Sequence, residues 1–366
     1  MSDKPKDKKL PPLFVIKATI GLRNFLIRIA KKMLPANFVL LEEASSFWKA
    51  KSIEVATQLN IPDLLEPGPM PVSKLAELSQ CNEEALYRML RALAGEGIFK
   101  ELRGKTFKNT SLSKALLTKK ESVKYFVMHH LGTNNWDLVG DLFNCVKTGE
   151  NAITHKFHME PFEFLEKNPE KNVIFNKAMT ETAELSGSIF VNAYNFGQYK
   201  LIVDIGGGQG HLLSQILSKY KNVEAILFDQ PHVVTEAKEL LKRNGVESRC
   251  NIVVGSFFDR VPAQGDLYIL KNILHDWDDV RSVEILKNLH AAMLPETRLL
   301  LIETIIKPNN KPSFGKFIDL QMLIGTTGGK ERTREEFEKL LNDSGFKLKR
   351  IIENATPFSF IEAMKL

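Results

Sequence analysis

The second half of the chain alternates short apolar runs with stretches whose apolar residues recur at helical spacing. Strands are predicted in the runs LIVDIGG, VEAILFDQ, NIVVGSFF, LYILKNILHDW and RLLLIETII. Strands buried on both faces read as continuous apolar runs, and their alternation with helices favours a doubly wound, mostly parallel sheet. Two final segments, FKLKRIIEN and FSFIEAMKL, predict an antiparallel hairpin that completes the sheet. Residues 198–366 are therefore predicted to form an α/β domain.

The first half of the chain has the 3.6-residue periodicity of helices. Helices are predicted in SSFWKAKSIEVATQL, VSKLAELS and NEEALYRMLRALAGEG, and Asn82 is the predicted N-cap of the third. A small hairpin is predicted after them in FKELRGKTFKN, around Gly104. This order is typical of a winged helix, so we expect an all-α, winged-helix-like domain over residues 36–118. Residues 119–197 are predicted to be a helical connector.

Positive charge is concentrated in the first 35 residues. This arm carries nine Lys or Arg and two Asp, a net charge of +7, whereas the whole chain carries +6. The rest of the chain is therefore close to neutral, and the pI of 9.0 describes the arm. Apolar residues at helical spacing predict an amphipathic helix that packs on a partner subunit, with weak contact to a membrane surface as the alternative. Its charge-free runs fall short of the roughly 18–20 residues that a membrane span needs.

A winged helix also suggests a DNA-binding regulator. A protein surface that approaches phosphates is expected to be positively charged. In the predicted recognition helix and its end, Glu83, Glu84 and Glu96 outnumber Arg88 and Arg91. We therefore interpret this domain as a dimerisation unit and expect no nucleic-acid partner. The DNA-binding regulator is retained as the weaker hypothesis.

Composition argues against several other classes of protein. The chain has the hydrophobic fraction of 43% and the charged fraction of 26% that are typical of globular proteins. Its three cysteines, Cys81, Cys145 and Cys250, are far apart and form no CxxC pair, which argues against a disulfide framework and against a zinc site. No carboxylate-rich set suggests another metal, so we expect none. The absence of a signal-peptide layout predicts a cytoplasmic location.

A glycine-rich loop is the most informative stretch of the sequence. Gly206, Gly208 and Gly210 lie between a predicted strand and a predicted helix, where glycine lets the backbone approach a ligand closely. Asp229 ends the next strand, where a carboxylate can accept hydrogen bonds from a ribose diol. The dinucleotide-binding spacing GxGxxG fails, because His211 stands at the third glycine position. The GxGxG pattern matches the fingerprint for S-adenosylmethionine, which we predict as cofactor, with S-adenosylhomocysteine as product.

The segment LKNILHDWDD after the fourth strand completes a set of motifs. With DIGGGQG, FDQPHV, the strand end IET and GGKERTREEF, in this order and spacing, the chain resembles the plant-type small-molecule O-methyltransferases, which include caffeate, flavonoid and hydroxyindole enzymes. The resemblance covers almost the whole chain. It implies a Rossmann-like domain that transfers a methyl group to a hydroxyl of a small, largely apolar, aromatic acceptor. It also implies a homodimer with interlocking N-terminal units and a connector that contributes to the acceptor pocket.

The same motifs assign roles to individual residues. The resemblance makes His275 the catalytic base, with Glu303 and Glu331 as the two acids that flank it. The residues assigned to cofactor binding are Asp204, Gly206, Gly208, Asp229, Gln230, Ser256, Phe257 and Lys271. The residues assigned to acceptor binding are Phe175, Met179, Asp276 and Met322. An alternative interpretation of Asp276 is that it caps the helix that follows.

The chemistry of methyl transfer agrees with these assignments. A sulfonium methyl is already a strong electrophile, so the protein has to supply alignment and a nucleophile. A neutral hydroxyl attacks poorly, and histidine is suited to take its proton because the unperturbed pKa of histidine is about 6.5. A carboxylate on the second imidazole nitrogen fixes the tautomer and supports the cation that forms. Glu303 is predicted to end the fifth strand, next to the fourth, which would bring it near His275.

One position departs from the family pattern. After the third strand the family has an acidic residue that contacts the adenosine, where this chain has Ser256, and a hydroxyl is a weaker acceptor than a carboxylate. Asp259, three residues further along, is a candidate to compensate. The departure concerns cofactor affinity more than cofactor identity. A relative that keeps the cofactor but carries out other chemistry is retained as an alternative, because a fold does not fix a function.

Overall fold

The computed structural model describes residues 11–119 and 121–366. The first ten residues, with Lys4, Lys6, Lys8 and Lys9 of the basic arm, lie outside the described residues. In the described part the α-helices, α1 to α16 in chain order, are Leu13–Lys32, Ala36–Gln58, Ile61–Leu64, Val72–Ser79, Glu83–Gly95, Lys124–Leu131, Thr133–Val139, Leu142–Thr148, Ala152–Phe157, Pro161–Lys167, Pro169–Ala193, His211–Lys219, Ala237–Arg243, Asp279–Ala292, Gly315–Gly325 and Arg334–Asp343. The strands, β1 to β11, are Met70–Pro71, Phe99–Leu102, Thr106–Asn109, Leu201–Ile205, Glu224–Asp229, Cys250–Val254, Leu267–Lys271, Arg298–Ile306, Arg332–Thr333, Phe346–Glu353 and Phe358–Lys365.

The N-terminal domain has the predicted order of helices followed by a hairpin. Helix α5 begins after Asn82, whose side-chain oxygen accepts a hydrogen bond from the Ala85 N–H at 3.0 Å, as predicted for its cap. β2 and β3 form the hairpin. β1 pairs with β3 as a third strand, which the sequence pattern does not predict because it is only two residues long. The apolar faces of these elements form a core of their own, which includes Leu75, Leu90, Phe99 and Phe107.

Helix α1 is the amphipathic helix predicted in the basic arm. None of its residues is buried. Lys17 of α1 forms an ion pair with Glu353, and Lys31 forms one with Glu43 at 2.5 Å. Among the helices of the described residues, none combines the length and the apolar character needed to cross a bilayer.

The C-terminal domain contains the predicted mixed sheet. Its strand order is β10-β11-β8-β7-β4-β5-β6. The strands from β8 to β6 in this order are parallel, and β11 and β10 form the antiparallel hairpin. Helices α11, α12 and α13 cover one face of the sheet, and α14 and α16 cover the other. Burial on both faces explains why the strands read as continuous apolar runs.

The carboxyl edge of the parallel strands gathers the functional segments. β7 ends at Lys271, which pairs with Ile302, whereas β8 continues to Ile306. Glu303 thus lies inside β8, and the prediction that it ends its strand is wrong. The reason is that β9 and β11 pair with this part of β8 beyond the end of β7. β9 directly follows Glu331, so this pairing brings a second acid to the same edge.

The connector is helical, as predicted. α6 packs on α2 and α11, while α7, α8 and α9 pack on α15 of the C-terminal domain. Asn135 of α7 and Gln321 of α15 exchange two side-chain hydrogen bonds, at 2.9 and 3.4 Å. The connector therefore holds α15, the helix that carries Met322.

Candidate active site

The glycine-rich loop between β4 and α12 has a backbone that glycine adopts most readily. Gly206, Gly208 and Gly210 have φ angles of +67°, +60° and +81°. A Cβ on Gly206 would lie 2.4 Å from the side chain of Ile273, whereas a Cβ on Gly208 would meet nothing within 4 Å. The loop is therefore closed against the protein at Gly206 and leaves room for a ligand at Gly208.

Asp229 at the end of β5 holds the loop. Its Oδ2 accepts a hydrogen bond from the Gly208 N–H at 2.8 Å, and its Oδ1 accepts one from the Gln230 N–H at 2.7 Å. Burial raises the pKa of the Asp229 carboxyl, while these two hydrogen bonds act to lower it. Each carboxylate oxygen keeps a further lone pair, so Asp229 can also accept ribose hydroxyls.

Two further residues assigned to the cofactor lie close to the loop. Asp204 is buried, and its Oδ1 has no hydrogen-bond partner among the described residues. Burial raises the pKa of Asp204 to about 7, against the opposing effect of Lys271. Burial lowers the pKa of Lys271, whose ammonium nitrogen lies 6.0 Å from the centre of the Phe358 ring. An unpaired buried oxygen beside a glycine cradle fits a site that a polar ligand completes.

The loop after β6 carries the remaining residues assigned to the cofactor. The ring of Phe257 lies 3.8 Å from the position of a Cβ on Gly206, so Phe257 borders the cofactor loop. The Ser256 hydroxyl accepts a hydrogen bond from the Phe258 N–H at 3.2 Å and is thus engaged within its own loop. Asp259 is exposed. The cofactor roles of Ser256 and Asp259 stay predictions.

His275 lies in a short 3₁₀ helix, Leu274–Asp276, which begins three residues after the end of β7. Its Nδ1 is 3.0 Å from Oε1 of Glu331 and 3.9 Å from Oε2 of Glu303. Its Nε2 is 3.5 Å from Oδ1 of Asp276. The structure therefore brings together the three residues predicted to be catalytic, and it adds a third carboxylate on the Nε2 side.

The two predicted acids contact different parts of the turn that carries His275. Glu331 pairs with the imidazole Nδ1, which leaves Nε2 as the nitrogen available to an acceptor. Oε1 of Glu303 accepts hydrogen bonds from the Ile273 N–H at 3.1 Å and the Leu274 N–H at 2.9 Å. Glu331 thus orients the ring, and Glu303 holds the backbone beneath it.

The electrostatics of this cluster favour the protonated imidazole. Burial lowers the pKa of His275, but the carboxylates of Asp276, Glu331 and Glu303 outweigh it and raise the pKa to about 10. Burial raises the pKa of Glu303 to about 7, opposed by the charge on His275. These charges therefore favour the imidazolium form of His275 at neutral pH, and the capacity of the ring to accept a proton grows as the pH rises.

The residues assigned to the acceptor lie on three elements. Phe175 and Met179 are one turn apart on α11, and the Phe175 ring contacts the His129 ring at 5.3 Å between centroids. Met322 lies on α15, and Asp276 lies beside the imidazole. The joint role of the two methionines as a clamp for the acceptor stays a prediction.

Asp276 does not cap the helix that follows it, so that alternative interpretation is wrong. The cap of α14 is Asp278, whose Oδ1 accepts a hydrogen bond from the Arg281 N–H at 2.8 Å. Asp319 of α15 was not predicted, and its Oδ1 accepts a hydrogen bond from the Glu331 N–H at 2.8 Å. No sequence signal indicates Asp319, since α15 and the segment before β9 meet only in the folded chain.

Two structural residues were missed although they lie within the motifs. Gln209 of the glycine loop donates to the Val233 carbonyl at 2.6 Å and accepts from the Glu236 N–H at 3.0 Å, which ties the loop to the segment after β5. Arg332, within GGKERTREEF, is fully buried next to Glu331. The only indication of Arg332 in the sequence is its position directly after Glu331, a predicted catalytic acid.

His275, Glu303 and Glu331 also have the composition of a cation site. One candidate ligand atom from each lies within 4.8 Å of the other two. Within the chain, however, Glu331 is engaged by the imidazole and Glu303 by two backbone N–H groups. The expectation that the chain uses no metal stays a prediction.

Two family models and several relatives match this chain. The family model of an O-methyltransferase domain matches residues 139–347, and that of an O-methyltransferase dimerisation domain matches residues 41–119. A phenazine O-methyltransferase of Lysobacter antibioticus is 38% identical over 331 residues, which cover 90% of this chain and 96% of the relative. The mitomycin biosynthesis 6-O-methyltransferase of Streptomyces lavendulae is 34% identical over 319 residues, which cover 86% of this chain and 90% of the relative.

A solved structure with bound cofactor has the same architecture. Human N-acetylserotonin methyltransferase in complex with S-adenosylmethionine matches with a TM-score of 0.83 at 26% identity and covers 91% of this chain and 98% of its own. These comparisons confirm the predicted fold, family and cofactor. The chain belongs to the S-adenosylmethionine-dependent O-methyltransferases.

Proposed function

We propose that His275 is the general base that takes the proton from the acceptor hydroxyl during methyl transfer. The observation that carries this proposal is the 3.0 Å contact between His275 Nδ1 and Glu331, which leaves Nε2 as the nitrogen available to an acceptor. The base lies close to the cofactor loop, because Ile273, two residues before it, packs against Gly206. A base that borders the cofactor loop is in position to act on a hydroxyl that attacks the methyl group.

Each residue of the cluster has a distinct part in the proposed mechanism. S-adenosylmethionine, when bound, supplies a methyl group on a positively charged sulfur. The residues proposed to hold it are Asp204, Gly206, Gly208, Asp229, Gln230, Ser256, Phe257 and Lys271. Glu331 supports the positive charge that His275 gains on taking the proton, and Glu303 keeps the turn in place through the Ile273 and Leu274 N–H groups.

We propose a flat aromatic phenol as the acceptor. Phe175, Met179 and Met322 offer apolar and sulfur-bearing contacts, and Asp276 lies where the polar end of the acceptor would reach Nε2. Two of the three relatives named above are a phenazine and an N-acetylserotonin methyltransferase, and both of these acceptors are aromatic. In the proposed division of the chain, residues 36–118 dimerise, residues 119–197 contribute to the acceptor pocket and residues 198–366 hold the cofactor.

Turnover of a panel of phenols tests this function. We expect the purified chain to convert hydroxyphenazines, naphthols or hydroxyindoles into methyl ethers, with one S-adenosylhomocysteine formed per methyl group, as measured by mass spectrometry. The methyl ether of each phenol is the matched control, and we expect it to react at least about 100-fold more slowly because its oxygen has no proton to lose. EDTA is expected to leave the rate unchanged.

Two results would contradict the proposal. Tight binding of S-adenosylhomocysteine without any methylated product would support the relative with other chemistry. A salt-sensitive complex with DNA, measured by gel shift, would support the regulator.

We place the enzyme in the cytoplasm. Cys81, Cys145 and Cys250 are all free, and two of them are buried. Free buried thiols are typical of proteins from reducing compartments.

We further propose that the chain forms a homodimer through α1 and the start of α2. The outer face of α1, defined by Phe14, Leu22, Phe25, Leu26 and Ile29, is apolar, and each of these side chains is at least 42% exposed. By helical geometry, Lys17 and Lys31, which pair with the chain itself, lie on the other side. The exposed apolar surface continues into the matched dimerisation domain through Leu41, Phe47 and Trp48. A second copy of the chain is the occupant that this continuity favours.

Substitutions that introduce negative charge on the outer face of α1 test the proposed homodimer. We expect Leu22→Asp with Phe25→Asp to shift the mass in sedimentation velocity from twice the 41.4 kDa chain to one chain, because burying two carboxylates opposes association. Phe143→Asp is the control, since Phe143 is 76% exposed on α8, outside this surface. A monomeric wild type whose binding to anionic vesicles is lost in the double variant would instead support the membrane-surface alternative.

A further inference from the structure

Arg332 is a fully buried cation whose hydrogen bonds lead to the turn that carries His275. Its Nη1 donates to the Leu274 carbonyl at 2.6 Å, and its Nη2 donates to the Trp277 carbonyl at 2.8 Å. Its Nε donates to Asp279 at 3.0 Å. The guanidinium therefore binds backbone carbonyls on both sides of His275, one residue before it and two residues after it.

The same turn is held from its amide side by Glu303. The Leu274 N–H donates to Glu303, while the Leu274 carbonyl accepts from Arg332. Arg332 directly follows Glu331, the residue that orients the imidazole, and its pairing with Ile305 ties both to β8. Glu331 thus contacts the imidazole ring of His275, and the next residue, Arg332, contacts the backbone that carries this ring.

General stability alone gives a weak reason for a guanidinium at this place. Burying a charge is costly, and an apolar residue of similar volume often leaves a protein equally stable. The partner carboxylate, Asp279, is 54% exposed and also pairs with Lys330. What an apolar residue lacks is the planar fork of donors that reaches two carbonyls at once.

We propose that Arg332 is a positioning residue for methyl transfer, which sets the distance and orientation between the His275 ring and the Glu331 carboxylate. It does not touch the acceptor or the cofactor in this role. The inference rests on the proposed function of His275 as the base. Small displacements of a catalytic group lower the rate of the chemical step more than they lower binding.

The variant Arg332→Lys tests this role, because lysine keeps the charge but loses the fork. We expect kcat, measured at a pH high enough for His275 to be neutral in both proteins, to fall about tenfold, with the acceptor KM and the Kd for S-adenosylhomocysteine changed by less than about twofold. We also expect the pKa of His275, measured by NMR of labelled histidine, to fall towards its ordinary value as the contact with Glu331 loosens.

Arg249→Lys is the matched control. Arg249 also donates to backbone carbonyls, those of Leu217, Tyr220 and Val223, between 2.6 and 3.1 Å, but it lies away from His275. We expect this variant to lower the thermal midpoint without changing kcat or the titration of His275. If Arg332→Lys behaves in the same way, Arg332 is only structural and the proposal is overturned.

A second variant covers the case in which Arg332→Lys does not fold. Asp279→Asn removes the negative charge that pairs with Nε and Nη2 of Arg332 and leaves the backbone contacts of the turn. We therefore expect kcat, at a pH where His275 is neutral, to fall about threefold with the same change in the pKa of His275. If kcat and the pKa of His275 are both unchanged in Asp279→Asn, the proposal is overturned. If His275→Gln keeps full turnover, the proposed base fails. If His275→Gln is inactive while both variants here are normal, only the positioning role fails.

Discussion

Replacing His275 with glutamine is expected to lower kcat by about 10²–10⁴-fold, the range that general base catalysis contributes. Glutamine keeps a polar side chain of similar reach but cannot take a proton from the acceptor. The Kd for S-adenosylhomocysteine, measured by calorimetry, is expected to stay within about twofold, because His275 is not among the residues assigned to the cofactor. A loss confined to kcat would therefore identify a group that acts in the chemical step.

The pH dependence supplies an independent check on His275. Because its neighbouring carboxylates raise its pKa to about 10, the neutral, proton-accepting form is scarce at pH 7. We expect kcat/KM of the wild type to rise with pH from neutrality towards about 10 and His275→Gln to lose this rise. His155→Gln is the matched control, since His155 also pairs with a carboxylate, Asp141, at 2.8 Å. A His275→Gln rate within about threefold of the wild type would remove His275 as the base.

Much of this fold can be predicted from the sequence because its strongest patterns are local. The apolar runs that give β4, β5, β7 and β8 are buried on both faces, and the glycine loop lies where a strand meets a helix. Asn82 caps α5 as its position before two glutamates indicates. In each case the side chains that determine the structure are near one another in the chain.

The sequence does not predict the separate roles of the two acids, Glu303 and Glu331. Strand adjacency predicts that Glu303 lies near His275, but its actual contacts depend on how far β8 extends past β7. The position of Glu331 depends on the two-residue strand β9, which has no pattern of its own. Which acid orients the ring and which holds the backbone is therefore decided by strand register, and residue type alone leaves both roles open.

The substitution Gly208→Ala is expected to weaken binding of S-adenosylhomocysteine by about five- to 150-fold. The added methyl group meets no protein atom within 4 Å, so its effect on binding arises where a ligand approaches the loop. Overpacking of this kind costs about 1–3 kcal/mol, which corresponds to that range of affinity. Calorimetric titration with S-adenosylhomocysteine measures the change directly. The acceptor KM at saturating cofactor is expected to change little.

The left-handed backbone at Gly208 requires a control for strain, because alanine costs about 1–2 kcal/mol there whether or not a ligand binds. Gly245, at the end of α13, provides it: its φ is +67°, compared with +60° at Gly208, and a Cβ there also meets nothing within 4 Å. Both variants should therefore lose similar stability in denaturant unfolding, while only Gly208→Ala loses affinity. Equal affinities in the two variants would mean that the ligand does not approach Gly208, and the proposed place of the cofactor in this cleft would be wrong.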